Sequence, residues 1–268
     1  MPPADRPPRG PARAPPGRSP LDGDLAVALG AAAAVLAAAF VKGAIGVGFP
    51  ILATPLLTLL VDVKVAVAVL VVPNIVMDGL QIRRRGRLAD TARRLWVLLG
   101  CTTLGTVLGT RILVALSARA VMLVLGGFVL AFVALNLTRV SPRVRPGWEP
   151  WLSPLVGLLA GMLGGVTNAL GPPLIVYFYA LAMDKHEFVR SVALTFLVAK
   201  IVQLGALAAY GLLGGPVVAG SLALTAAALG GFAAGLRVQD RVEQATFNRF
   251  VLVFLTALGA WLLVRGLR

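Results

Sequence analysis

Two clusters of glycine and proline interrupt long apolar runs, and they hold the residue types best suited to chemistry in this chain. The first reads Lys42-Gly43-Ala44-Ile45-Gly46-Val47-Gly48-Phe49-Pro50. The second runs from Gly161 through Gly164, Gly165, Thr167, Asn168 and Gly171 to Pro172 and Pro173. In hydrocarbon every backbone polar group needs a partner, so a broken helix persists only where it lines protein or a polar cavity. A half-helix starting at Pro50 or Pro172 would aim free N–H groups and a partial positive charge at the break. Glycines such as Gly43, Gly46 and Gly48 let a substrate approach the backbone. Two such ends facing each other would make an anion site near the bilayer midplane, with Thr167 and Asn168 as side-chain donors. The plainer alternative is that the glycines serve close helix packing and the prolines only kink.

Ionisable residues inside apolar runs are the next signal, because a charge in the membrane is costly and functional by default. Lys42 precedes the first break, Lys200 lies within VALTFLVAKIVQLGAL, and Asp78 lies within VPNIVMDGLQIRRR. Lys200 has Gln203 one turn away and no carboxylate in its own run. It either lends charge to an anionic guest or is structural, by snorkelling or by pairing with Asp78. Asp78 stands close to the Arg83–Arg94 loop, which favours an ion pair near the interface. Lys42, Asp78 and Tyr177 remain candidates for substrate or coupling contacts. Tyr177 and Tyr179 follow the second break, as cavity wall or interfacial belt. His186, the one histidine, falls in the charged stretch Asp184-Lys185-His186-Glu187 and reads as solvated.

The elements that must position these groups follow from composition. Hydrophobic residues make up 58% and charged ones 13%, half the charge of an ordinary soluble domain, and mean hydropathy is +0.89. Eight apolar stretches stand out, near 25–61, 65–82, 95–116, 120–138, 151–183, 190–213, 216–236 and 247–264. Two of them, 25–61 and 151–183, are too long for one straight crossing: the helical length of the first would be ~55 Å against ~30 Å of hydrocarbon. The fold class is therefore an all-α polytopic membrane protein. The net charge of +14 does not point to nucleic acid, because its arginines crowd a Pro-rich tail and short loops, as cytoplasmic loops are marked. Cys101 stands alone, so no disulfide within the chain and no cysteine metal site is expected. Residues 1–24 read as a disordered tail ahead of a retained first helix rather than a removed signal peptide.

The two clusters are related. Gly43-x-x-Gly46 matches Gly161-x-x-Gly164, and Gly48-x-Pro50 matches Gly171-x-Pro173. Asn74 falls opposite Lys200, and Gly105-x-x-x-Gly109 opposite Gly231-x-x-x-Gly235, both at an offset of 126. These echoes predict two homologous repeats, 25–138 and 151–268, each of about four hydrophobic stretches with a broken first helix, joined by a linker at 139–150. If each broken run crosses once, there are eight spans and parallel halves, which the loop charges mildly favour. If each crosses twice, there are ten spans, with inverted halves and both termini outside. The GxxxG pairs read as packing faces, and Arg111 and Arg237 as snorkelling helix ends. No nucleotide-binding loop, zinc-protease motif or serine nucleophile elbow is present, so the chain is not read as an enzyme and no cofactor is expected. Any pumping would draw on an ion gradient or on the substrate.

At the breaks the sequence resembles the TauE/SafE family of sulfite exporters. The carrying residues are GAIGVGFPILATPLL with VVPN in the first half. In the second they are GMLGGVTNALGPPLIVYFYALAMDKHEF and FLVAKIVQLGAL. The resemblance covers about residues 25–266. It implies a multi-pass secondary transporter of the bacterial inner membrane that moves sulfite, sulfonates or related small anions, with a proton or sodium ion as coupling partner and lipid as surroundings. Lys200 departs from the polar or neutral residues usual there, which would mark a substrate subgroup or altered coupling. A passive anion channel on the same fold is the alternative, followed by an intramembrane enzyme built on Asp78, His186 or Lys200.

Overall fold

The computed structural model describes residues 20–85, 88–137, 146–238 and 244–267. The tail up to residue 19 and linker residues 138–145 lie outside the described residues, so the expectations for them stay untested. Among the described residues every regular element is helical. In order they are α1 (Pro20–Ile45), α2 (Phe49–Leu57), α3 (Val63–Val69), α4 (Val71–Arg85), α5 (Leu88–Arg94), α6 (Trp96–Ala115) and α7 (Ala118–Leu137). A 3-10 turn (Pro146–Trp148) leads into α8 (Glu149–Thr167), α9 (Gly171–Ala180), α10 (Lys185–Ala209), α11 (Gly215–Val238) and α12 (Gln244–Leu267). Seven helical segments are long and apolar enough to cross a membrane. The chain is a multi-pass membrane protein.

Both long apolar runs are broken where glycine and proline cluster. Between α1 and α2 the backbone turns through Gly46 (φ 96°) and Gly48 (φ 107°), a region open to glycine and strained for other residues. Between α8 and α9 the turn uses Asn168 in the left-handed conformation (φ 66°), which asparagine tolerates. Each break reverses the chain. Tyr177, near the end of α9, shares a 2.6 Å hydrogen bond with Ser153, near the start of α8. Leu60, just past α2, packs against Gly30 in the first half of α1. The returning helix thus brings the chain back toward the end of the bundle from which the long helix set out.

A third discontinuity separates α3 from α4. Pro73 has no N–H to give the carbonyl of Val69 four residues earlier. The helix breaks at Leu70, and the hydroxyl of Ser221 on α11 donates to the Val69 carbonyl at 2.8 Å.

Glycines set the helix pairs. A Cβ at Gly105 or Gly109 on α6 would strike the backbone of Leu158 or Met162 on α8, and one at Gly161 would strike Thr102 of α6. A Cβ at Gly231 or Gly235 on α11 would likewise strike Leu36 or Phe40 on α1, and one at Gly43 would strike Phe232. The expected packing faces are therefore found on α6 and α11, and each packs against one of the broken helices. Close backbone approach of this kind is how membrane helices associate without a hydrophobic driving force. Helices α7 and α12 form a third pair, and α4 and α10 pack together in the middle.

The two ends of the bundle differ. At one end Arg94 meets Glu149 at the start of α8 (3.4 Å) and Glu187 near the start of α10, while Arg190 donates to Thr91 at 2.6 Å. There Asp184 caps α10, accepting from the backbone N–H groups of Glu187 and His186, which hold its carboxyl below the usual carboxylate range. At the other end Lys64 donates to the Val114 carbonyl and Arg265 to that of Thr58, each at 2.9 Å. The first end carries α5 with Arg93 and Arg94, the kind of basic segment that marks the cytoplasmic side in the positive-inside rule.

Two outcomes follow from this packing. Gly161→Leu should lower the thermal unfolding midpoint in detergent, with an overpacking cost of about 1–3 kcal/mol or more, whereas Gly127→Leu, with open space around it, should not. In a Cys101→Ser background, single cysteines at Ser117 and Gly214 should react with an impermeant maleimide from outside intact cells. Cysteines at Asp90 and His186 should react only after permeabilisation.

Candidate functional site

The first break ends beside α4. Lys42, in the last turn of α1 and 2% exposed, donates to Asn74 Oδ1 at 3.1 Å and to Asp78 Oδ1 at 2.5 Å. Gln81, one turn further on, donates from Nε2 to the Gly46 carbonyl at 2.7 Å. Asn74 and Asp78 share a face of α4 because they stand four residues apart. Asp78 is buried and pairs with Lys42, not with the arginine loop, so the expected interfacial ion pair is corrected. Asn74 Nδ2 and Asp78 Oδ2 are buried with no hydrogen-bond partner among the described residues.

The second break ends beside α10. Lys200, fully buried, donates to Asn168 Oδ1 at 2.6 Å and to Gln203 Oε1 at 2.5 Å. Gln203 Nε2 reaches the carbonyls of Gly165 (3.2 Å) and Gly164 (3.4 Å) at the end of α8. Asn168 spans further, giving its Nδ2 to the Val67 carbonyl of α3 at 2.9 Å. Lys200 is thus held by two neutral amide oxygens and makes no ion pair with a carboxylate among the described residues. The suggested pairing of Lys200 with Asp78 is not made, since Asp78 is taken by Lys42.

The two clusters repeat one design with its polarity exchanged. In the first, a lysine on the broken helix meets an asparagine 32 residues later. In the second, an asparagine at the break meets a lysine 32 residues later. Each following helix then adds a glutamine three residues beyond its charged residue, Gln81 after Asp78 and Gln203 after Lys200, and each glutamine caps a carbonyl of its break. This common spacing was readable in the sequence; Gln81 as a binding partner of the break was missed.

The breaks do not meet head to head. Gly46 lies against Val189 of α10, while Asn168 binds Lys200, about 16 Å further along that helix. Phe196 lies between these levels. Its ring is 5.7 Å from the Lys42 ammonium and within van der Waals reach of Gly171. Phe196 was not foreseen, because a phenylalanine in an apolar run carries no signal of its own.

Other expected site residues have different duties. Gly43 packs on α11 and Gly165 on α6. Gly164 leaves room for Leu170. Thr167 bonds its own helix, donating to the Leu163 carbonyl and accepting from Ala169 N–H. Pro50 sits at the start of α2, and Pro172 with Pro173 in the first turn of α9. Those two prolines remove two N–H groups, so α9 aims fewer donors at the break than expected. Tyr177 is buried against Ser153, and Tyr179 is exposed and stacked on Phe188 at 4.8 Å. Pro172 and Tyr177 also line a mostly apolar pocket of about 370 Å³ between α7, α8 and α9, with no charged side chain in its walls. His186, at the start of α10, lies about 21 Å along that helix from Lys200, so the three residues considered for an intramembrane enzyme are not assembled.

The model of the family described as Sulfite exporter TauE/SafE matches residues 31–262. No curated protein and no solved structure matches the chain.

The Lys42–Asp78 pair generates a stability prediction. Lys42→Met leaves a buried carboxylate unpaired and should cost about 3–5 kcal/mol. Lys42→Met combined with Asp78→Leu removes both charges and should recover most of it. Thermal unfolding of the purified variants checks both.

Proposed function

The chain belongs to the Sulfite exporter TauE/SafE family, and from that premise we propose that it is a secondary transporter of a small anion, a sulfur oxyanion or organosulfonate, which binds at Lys200. The observation that carries this reading is the Lys200 ammonium: fully buried, held by Asn168 and Gln203, and with no carboxylate in contact among the described residues. Burying an ammonium without a counter-charge is expensive, and an anionic guest supplies what is lacking. Two donors of the ammonium are used, and a third is left for the guest. The prolines of α9 shift the task of binding from the helix end to these side chains.

We read the chain as two inverted halves around this site. The pairing of α1 with α11 and of α8 with α6 supports this, because each broken helix packs on the glycine-rich helix of the other half. The hairpins α1–α2 and α8–α9 set out from opposite ends of the bundle, as inverted repeats require. Such repeats suit alternating access, in which one half rocks against the other around a central site. The family supports placement in a bacterial inner membrane and a proton or sodium ion as the coupling partner.

Proteoliposomes loaded with radiolabelled sulfite test the reading. Wild type should show saturable flux that responds to an imposed proton or sodium gradient; flux that never saturates would indicate a channel instead. Lys200→Met should weaken binding about ten- to hundredfold, the equivalent of the ~1.5–3 kcal/mol that a hydrogen bond to a charged group carries. Lys200→Arg should keep part of the activity with changed selectivity, since a planar fork replaces a point charge. Wild-type rates and affinity in Lys200→Met would make the lysine structural.

A further inference from the structure

The polar centre holds more than one lysine, and the two are not equivalent. Each is fully or almost fully buried, each donates to an asparagine 32 residues away in the chain, and each has one further partner: Asp78 for Lys42, Gln203 for Lys200. The difference is one of charge. Lys42 has a carboxylate at 2.5 Å, and Lys200 has only amides. At the 126-residue offset that relates Asn74 to Lys200 and Lys42 to Asn168, the position of Asp78 is taken in the second half by Leu204. The second half has no built-in carboxylate there.

We propose that the Lys42–Asn74 cluster is a second anion site already filled from within, with Asp78 as its resident counter-anion. This rests on the reading of Lys200 as the transported anion's site, and it sets the number of anions the protein takes. Two ammonium groups and one carboxylate leave one positive charge, so one monoanion completes the balance. A singly charged sulfonate or hydrogensulfite fits this balance, and a dianion such as sulfate overshoots it. The first cluster keeps the atoms an external anion would need. Asn74 Nδ2 is a buried donor without a partner, next to an ammonium whose third N–H is not used by Asn74 or Asp78. Asp78 Oδ2 is buried and unpartnered as well, so the carboxylate sits in the cluster with one oxygen engaged, as a bound anion would.

Titration of detergent-purified protein with methanesulfonate, a monoanion across the accessible pH range, counts the sites by calorimetry. Wild type should bind one per chain. Asp78→Asn keeps the shape and a Lys42 acceptor but removes the charge, and it should bind two, with sulfate affinity rising relative to methanesulfonate. The Lys42→Met and Asp78→Leu double variant removes ammonium and counter-anion together and should return to one site of wild-type affinity. A single site of unchanged affinity in Asp78→Asn overturns the proposal, and so does a double variant that binds nothing. If Asp78→Asn does not fold, Asp78→Ser, which also removes the charge and keeps Lys42, takes its place with the same two outcomes. Loss of the wild-type site in Lys200→Met, with the double variant still binding, upholds the Lys200 reading on which the proposal rests, and a second site in the Asp78 variant upholds the proposal itself. A wild type that binds neither methanesulfonate nor sulfite removes the transport site itself, and this proposal with it, whereas one site in both wild type and Asp78→Asn removes only the proposal.

Discussion

A carbonyl freed by a broken helix cannot turn to water in the hydrocarbon core, and each one left unmet costs several kcal/mol. Three discontinuities create such carbonyls, and in every case a side chain from another helix answers. Gln81 meets Gly46, Gln203 meets Gly164 and Gly165, Asn168 meets Val67, and Ser221 meets Val69. Each repair is also a tether between helices. The amides that make these repairs then present their other ends, and two of those ends hold Lys200. The ammonium group is thus anchored by the same residues that make the breaks tolerable.

Those repairs need helices that approach closely, and glycine supplies the approach. On α6 and α11 the GxxxG residues let backbone meet backbone, so α8 and α1 are gripped along their length just ahead of their breaks. The grip keeps lipid from the freed carbonyls. It also leaves α4 and α10 packed on each other in the middle, carrying Asn74, Asp78, Gln81, Lys200 and Gln203 on buried faces. Five polar side chains in that position would be untenable on a lipid-facing surface.

Much of this was legible from residue types. Excess apolar length with glycine and proline at its centre located both breaks, and a lysine in an apolar run marked Lys200. Partner choice was not legible, because it is a tertiary property. Asp78 lies near the arginine loop in the chain, yet its partner is Lys42, 36 residues earlier, because the last turn of α1 ends with that ammonium beside Asp78. Thr167 looked like a donor to substrate, but a threonine at a helix end is in reach of its own turn, and the Leu163 carbonyl takes its proton. The direction of α2 and α9 was equally hidden. Loop charges favoured single crossings, but a charge count weighs only the segments between helices and is blind to a hairpin whose short arm returns inside the protein.

The asymmetry between the two lysines bears on how a carrier can release what it binds. A transported ion must be attracted strongly enough to enter and weakly enough to leave. One unit charge at about 4 Å contributes about 4 kcal/mol at the effective dielectric of about 20 that suits protein sites. A second bare ammonium at similar range would add as much again, and 4 kcal/mol is close to a thousandfold in release. A cavity with two uncompensated lysines would hold a small anion as a structural ion. With Asp78 fixed on Lys42, the attraction falls to that of a single lysine, softened further by the amide oxygens of Asn168 and Gln203 that already share its protons. On the reading of Lys200 as the transport site, two lysines can stand near the same path, each buried and each hydrogen-bonded, while only one of them bids for the cargo.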